Sequence, residues 1–229
     1  MIKKIPIHLV LYPDGNRRWA RKNGLTPMAG HFHGTDNILK FCRWCKKVKI
    51  RMVTVFGFST ENWARPKEEV QYLLKLFEST MLGNIEMYKK YGIRVKVLGQ
   101  REKLPKTVEK TIRKIERLTK SQKKIQLNLA VSYGGRWDIV QAMKKIIKAK
   151  ISPDKINEAL VYKHLSTANM PEPDLVIRTG GEKRLSNFLI WQGAYSELYF
   201  SDKLWPEFTE KDLSMAIAEY GRRQRRFGK

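Results

Sequence analysis

One acid sits inside a turn of the kind that holds phosphate: Asp14-Gly15-Asn16-Arg17-Arg18-Trp19. The apolar run at 5–11 precedes it and reads as a buried strand. Trp19-Ala20-Arg21-Lys22 follows and reads as a helix start. A strand that enters a Gly/Asn turn and then a helix presents backbone N–H groups at the positive helix end. Arg17 and Arg18 add donors suited to phosphate oxygens. Asp14 is the odd member, because an acid beside bound phosphate is repelled unless a cation lies between them. Mg²⁺ is the natural cation, held by one or two carboxylates together with substrate phosphates. The competing reading is an Asx turn capping a helix, with both arginines in solvent. On this segment alone the two readings balance.

A second basic group lies far along the chain. Arg178, Arg184 and Ser186 crowd the Gly-rich stretch Arg178-Thr179-Gly180-Gly181-Glu182-Lys183-Arg184-Leu185-Ser186-Asn187. Two guanidinium groups and a hydroxyl can bind a diphosphate, so an anion site is favoured there over a bland loop. Two further strand-like runs also end in small, polar and basic residues. These are Ser59-Thr60-Glu61-Asn62-Trp63-Ala64-Arg65-Pro66 and Ser132-Tyr133-Gly134-Gly135-Arg136. Neither G-x-x-x-x-G-K-[ST] nor G-x-G-x-x-G occurs, which argues against a P-loop kinase or a dinucleotide enzyme. Abundant apolar sequence beside these polar ends fits a substrate with a charged head and an apolar tail.

The elements that must position these groups alternate. Strand-like runs cover 5–11, 52–58, 93–98, 125–131, 175–178 and a short 197–200. Helix-like runs cover about 30–48, 67–91, 105–120, 136–149, 154–164 and 209–223. The alternation predicts an α/β fold, a mostly parallel sheet flanked by helices in a single domain over 1–229. In such sheets, sites gather at the carboxyl ends of the strands.

Composition narrows the partners. The 229 residues carry 46 Lys+Arg against 22 Asp+Glu, a formal net charge of +24. That balance calls for anionic partners, either phosphorylated metabolites or an anionic membrane surface. No zinc-finger, basic-zipper or RNP-type pattern occurs and the lysines are scattered, so nucleic acid is not expected. With no apolar run of 18 residues and no signal-peptide core, a cytoplasmic protein is expected. The lone pair Cys42 and Cys45 falls on the apolar face of a helical pattern and reads as core.

These segments together resemble the cis-prenyltransferase, or undecaprenyl diphosphate synthase, family. The resemblance runs from about residue 5 to the C-terminus. It rests on His8…Asp14 through Ala20, Gly30-His31…Gly34, Phe58 through Pro66, Tyr133 through Arg136, and Pro173 through Phe188. Trp191-Gln192…Glu197, Trp205-Pro206 and Arg225-Arg226-Phe227-Gly228 complete it. It implies a homodimer with a hydrophobic tunnel, Mg²⁺ as cofactor, and condensation of isopentenyl diphosphate onto an allylic diphosphate with a new cis double bond. By resemblance, Gly15, Arg17, Arg18, Trp19 and His31 surround the allylic diphosphate, and Arg178, Arg184 and Ser186 hold that of isopentenyl diphosphate. Asp14 and Glu197 match the acids associated with Mg²⁺. Asn16 and Ser59 match residues of proton removal or positioning, and Asn62, Trp63 and Arg65 match substrate-positioning residues. Without the match, His31 and Trp63 would read as ordinary structural residues.

Three positions depart from the bacterial pattern. Pro13 stands for Met and Arg17 for Gly, while Pro27 stands where long-chain enzymes carry an Arg for the allylic diphosphate. The resemblance therefore leaves product length and primer open, with a short-chain or branching synthase as the alternative. Gly57, Phe58, Leu73, Leu74, Phe77 and the strand at 125–129 are the expected tunnel walls. Peripheral contact with an anionic membrane is a further expectation.

Overall fold

The structure, a computed structural model, describes residues 5–223. Six strands form one sheet in the order β3-β4-β2-β1-β5-β6, and every neighbouring pair is parallel. They are β1 (His8–Tyr12), β2 (Met52–Ser59), β3 (Ile93–Leu98), β4 (Ile125–Tyr133), β5 (Leu175–Arg178) and β6 (Glu197–Phe200). Among the described residues eight α-helices connect and flank them: α1 (Asn16–Lys22), α2 (Pro27–Lys47), α3 (Lys67–Gly83), α4 (Ile85–Tyr91), α5 (Lys106–Thr119), α6 (Gly135–Lys148), α7 (Glu158–His164) and α8 (Glu210–Arg222).

Parallel sheets are covered on both faces, so their strands read as unbroken apolar runs. All five residues of β1 are buried. Leu9 and Leu11 enter the larger core with Val53, Val55, Leu127 and Phe41. Val10 and Tyr12 point to the opposite face and pack with Val176, Tyr133 and Phe188. β1 pairs with β2 on one side and β5 on the other, so the connections leave it in opposite directions. Its carboxyl end is thus the switch point of the sheet, where open α/β folds place their ligands. Asp14 lies two residues beyond β1.

Element boundaries shift where local chemistry intervenes. The first strand is 8–12 and not 5–11, because Ile5 and Ile7 are exposed. The helix expected over 67–91 is two helices. Gly83 and Asn84 are weak helix formers, and the Asn84 side-chain amide donates to the Thr80 carbonyl at 2.9 Å. The second helix starts at Pro27, capped by Thr26, whose hydroxyl accepts from the Ala29 N–H. The helix expected from 154 starts at Glu158, capped by Asn157, after a 3-10 turn at Pro153–Lys155. Cys42 and Cys45 are fully buried in α2, and burial pushes the Cys42 thiol up to about 12. No helix among the described residues is long and apolar enough to cross a membrane.

A buried polar chain crosses the sheet beneath β1. His8 Nδ1 lies 2.7 Å from the Pro171 carbonyl, and Nε2 lies 2.7 Å from Thr54 Oγ1. A carbonyl only accepts, so Nδ1 carries the proton and Nε2 accepts from the Thr54 hydroxyl. Asn128 donates to the same Thr54 oxygen at 2.9 Å.

Candidate active site

A cavity of about 900 Å³ opens at the switch point and runs between the sheet and helices α2 and α3. Its mouth is cationic and its depth apolar. Asp14, Gly15, Asn16, Arg17, Arg18, His31, Ser59, Asn62, Arg65, Arg178, Arg184 and Ser186 all line it. Deeper walls come from Leu39, Val55, Leu73, Leu74, Phe77 and Val131, reaching Asn84 and Tyr88 at the α3–α4 break.

Asp14 is held by its backbone. Its carbonyl accepts from the Thr179 hydroxyl at 2.8 Å and from the Trp205 N–H at 3.0 Å. Its carboxylate accepts from Arg178 Nη2 at 2.8 Å, with Arg18 Nη2 3.5 Å from the other oxygen. Arg178 is 5% exposed. Its Nη1 donates to Ser186 Oγ at 2.9 Å and to the Arg184 carbonyl, and its guanidinium lies 5.3 Å from the Tyr12 ring centre. One planar fork thus joins the acid of the first loop to the hydroxyl of the distant loop. Arg18 and Arg184 share Glu182, and Arg17 and Arg65 share Glu69.

Asn16 is locked by close packing of α1 against α2. A Cβ at Gly30 would lie 2.2 Å from the Asn16 carbonyl oxygen, and one at Gly34 would lie 2.2 Å from Asn16 Oδ1. Gly30→Ala should therefore push α1 away from α2, at a cost of roughly 2–3 kcal/mol. Denaturant unfolding, together with a condensation assay, measures both consequences, and an unchanged midpoint would contradict the packing.

Four buried side-chain atoms lack a hydrogen-bond partner among the described residues, and three belong to this cavity: Asn16 Oδ1, His31 Nε2 and Arg178 Nε. Buried polar groups are rarely left unpaired, so their clustering marks a place for a polar ligand. Burial, with Arg65 and Arg17 nearby, lowers His31 to about 4 despite the opposing charge of Glu69. Burial likewise lowers His8 to about 4. Both sit below the ordinary 6.5, so the native state binds fewer protons than the unfolded chain. Stability from these two groups is complete above pH 6.5 and is lost as pH falls toward 4. Each contributes a slope of at most about 1.4 kcal/mol per pH unit in that window. An NMR titration should show two imidazoles neutral down to about pH 4. Two ordinary titrations near 6.5 would contradict this.

Three expected site residues stand elsewhere. Trp63 turns into the wall, where its Nε1–H donates to Ser132 Oγ at 2.8 Å and its ring meets Phe58 edge-on at 5.2 Å. Trp19 packs on His33, with ring centres 4.8 Å apart. Glu197 does not join Asp14 within one chain. It is the first residue of β6, level with Leu175, whereas Phe200 is level with Arg178. Three residues of strand, about 10 Å, therefore separate it from the level of Arg178. Its carboxylate accepts from Arg223 Nη1 at 3.0 Å. Pro27 sits exposed at the first position of α2 and does not line the cavity, whereas Arg17, Arg18 and Arg21 do.

Glu69, Glu182, Arg136 and Tyr12 went unassigned in the sequence. Only proximity in space reveals that Tyr12 Oη donates to the Leu185 carbonyl at 2.6 Å, fixing the loop that carries Ser186. The Arg225-Arg226-Phe227-Gly228 segment lies outside the described residues.

Known proteins resemble this chain along its length. Residues 12–228 match the profile of the prenyltransferase family described as undecaprenyl diphosphate synthase. A geranylgeranyl-diphosphate-specific tritrans,polycis-undecaprenyl-diphosphate synthase of Pyrococcus furiosus is 47% identical, over 98% of this chain and 88% of its own length. A (2E,6E)-farnesyl-diphosphate-specific ditrans,polycis-undecaprenyl-diphosphate synthase of Legionella pneumophila (strain Paris) is 44% identical, over 100% and 98%. The structure of lavandulyl diphosphate synthase from Lavandula x intermedia, in complex with dimethylallyl diphosphate, matches with a TM-score of 0.94. It is 36% identical, over 98% of this chain and 99% of that one. With a carboxylate and paired arginines at the mouth of an apolar cavity, and with these relatives along its whole length, the chain belongs to the undecaprenyl diphosphate synthase family of cis-prenyltransferases.

Proposed function

We propose that this prenyltransferase condenses isopentenyl diphosphate onto an allylic diphosphate to give a Z-polyprenyl diphosphate, the precursor type of a glycan carrier lipid, with Mg²⁺ as cofactor. One observation carries the reading: a single cavity joins a mouth rich in arginine to a long apolar interior. A diphosphate head and an isoprenoid tail satisfy both ends at once.

The donor set fits Mg²⁺. Asp14 is a half-exposed carboxylate on the cavity wall, beside arginines that would bring phosphate oxygens to it. Asp14 and the substrate phosphates would hold the ion, which supplies charge that offsets the departing diphosphate. Arg18 and the turn at Gly15 hold the allylic diphosphate with Arg17. His31 stands by as a neutral imidazole at pH 7, since its ionisation lies near 4. Arg178, Arg184 and Ser186 hold the second diphosphate. Of these donors Arg178 is buried, and there electrostatic stabilisation is strongest. Asn16 and Ser59, both on the cavity wall, would take or position the proton that isopentenyl diphosphate loses as the new double bond forms. Ser59 is 8% exposed, and its backbone N–H donates to Asn62 Oδ1 at 3.0 Å, which fixes the loop that also presents Arg65. Trp63 acts through Phe58, and the apolar walls keep the cation-like carbon from water.

The same reading includes a homodimer. Val140, Met143 and Ile147 of α6 are exposed at i, i+3 and i+7, an apolar stripe suited to a second copy. The enzyme would work in the cytoplasm, with its net charge of +24 drawing it to anionic membrane.

Incubation with labelled isopentenyl diphosphate and geranyl, farnesyl or geranylgeranyl diphosphate, with Mg²⁺ or with chelator, tests the proposal. Long products that vanish with chelator are expected. Products of one or a few condensations would favour the short-chain or branching reading. No product with any primer would refute both.

A further inference from the structure

We propose that Asn187 is a positioning residue that sets the distance between the two diphosphate-binding walls. Helix α6 begins at Gly135 after Gly134, which has no side chain to cap it. The cap comes from a residue 51 positions beyond Arg136. The Asn187 carbonyl accepts from the Gly135 N–H at 2.6 Å, and its Oδ1 accepts from the Arg136 N–H at 2.9 Å. Two otherwise orphaned donors of a helix start are thereby satisfied. The Nδ2 of the same amide donates to Glu61 Oε1 at 2.8 Å. One side chain thus joins three segments: the loop carrying Ser59 and Arg65, the start of α6 with Arg136, and the loop carrying Arg184 and Ser186.

The convergence is tight. A Cβ on Gly134 would lie 2.5 Å from Thr60 Oγ1 and 2.8 Å from Asn187 Nδ2, and one on Gly135 would lie 2.7 Å from Ile190 Cγ1. The backbone around Asn187 is also specialised, with positive φ at Ser186 (46°), Asn187 (61°) and Leu189 (46°). Asn adopts this conformation more readily than most side chains, and its amide accepts from Arg136 through Oδ1 while it donates to Glu61 through Nδ2. Arg136 lines the cavity and makes no ion pair among the described residues, so the cap also sets where a free guanidinium meets the second diphosphate. Near-attack geometry depends on such spacing, and an error of about 1 Å is worth about 100-fold in rate.

The kinetic arm of this proposal rests on the prenyl-transfer reading. N187D keeps the acceptor for Arg136 but places a carboxylate against Glu61. E61Q/N187D reverses the polarity of that hydrogen bond and restores it. N187D should lower kcat/KM for isopentenyl diphosphate about 100-fold, and the double variant should recover about tenfold or more. Each rate is taken per folded molecule, with thermal melts of every variant. Amide exchange at Arg136 in N187A should quicken about tenfold, a readout that needs no turnover. If the wild type condenses nothing, the prenyl-transfer reading fails and the exchange result alone decides the placement. N187D rates within about threefold of wild type, or a double variant no better than N187D, would overturn the proposal. So would unchanged exchange in N187A.

Discussion

Asp14→Ala is expected to reduce condensation by about 1,000-fold or more while leaving a folded chain. Asp14 is the acid that touches both guanidinium groups, Arg18 at 3.5 Å and Arg178 at 2.8 Å. Its removal takes away the carboxylate that would hold the metal and leaves Arg178 buried without its counter-charge. The backbone contacts of residue 14 from Thr179 and Trp205 remain, so the turn itself persists. Asp14→Asn separates the two losses, because it retains an acceptor for Arg178 but not the charge. Single-turnover condensation and thermal melting measure them independently. A variant that still condenses at near wild-type rate would remove Asp14 from the chemistry. If the chain were instead a basic binding module, its salt-dependent association with polyanions would survive Asp14→Ala and no condensation would be seen in the wild type.

Arg178→Lys should be nearly as damaging, although it keeps the charge. The guanidinium of Arg178 reaches Asp14, Ser186 and the Arg184 carbonyl from one plane. An ammonium is a point donor and cannot span these positions. At 5% exposure the site admits little water to replace the lost bonds. A rise in KM for isopentenyl diphosphate and a fall in kcat/KM of about 100-fold or more are expected, equivalent to roughly 3 kcal/mol of transition-state stabilisation. The KM of the allylic primer should move less, because Arg18 and the Gly15 turn stay in place. Equal loss toward both substrates would mean that Arg178 supports the whole mouth and not one diphosphate. Steady-state kinetics with each substrate varied in turn separates these outcomes.

Much of this architecture was legible in the sequence because burial leaves a plain record. The six strands were found within a few residues, since a parallel sheet covered on both faces writes continuous apolar runs. The break at Gly83–Asn84 was missed because the apolar period continues across it, while the Asn84 side chain interrupts the ladder locally. The polar strand ends were legible too, and the cavity gathers Asp14, Ser59 and Arg178 from three of them. What sequence spacing could not supply is level. Glu197 carries the right chemistry, yet its pairing with Leu175 puts it at the wrong end of β6 to meet Asp14. Nor could spacing show that Trp63 faces Ser132, because a tryptophan after a strand can turn either way. Asn187 was visible only as one polar residue in a loop; its three partners lie 51 to 126 residues away.

The anchoring of Asp14 also dictates when a growing chain can work. β1 emerges first, yet it becomes the middle of the sheet only after β5 docks beside it. The Asp14 carbonyl waits for Thr179 and Trp205, 165 and 191 residues downstream. Contacts of such long sequence separation close late in folding. Until β5 has left the ribosome the apolar strand has an open side, and until Trp205 follows the acid has no fixed position. A shortened chain ending before that point therefore gains no fraction of the activity, and its bare strand edge invites aggregation. Completion of the fold and the onset of catalysis are one event.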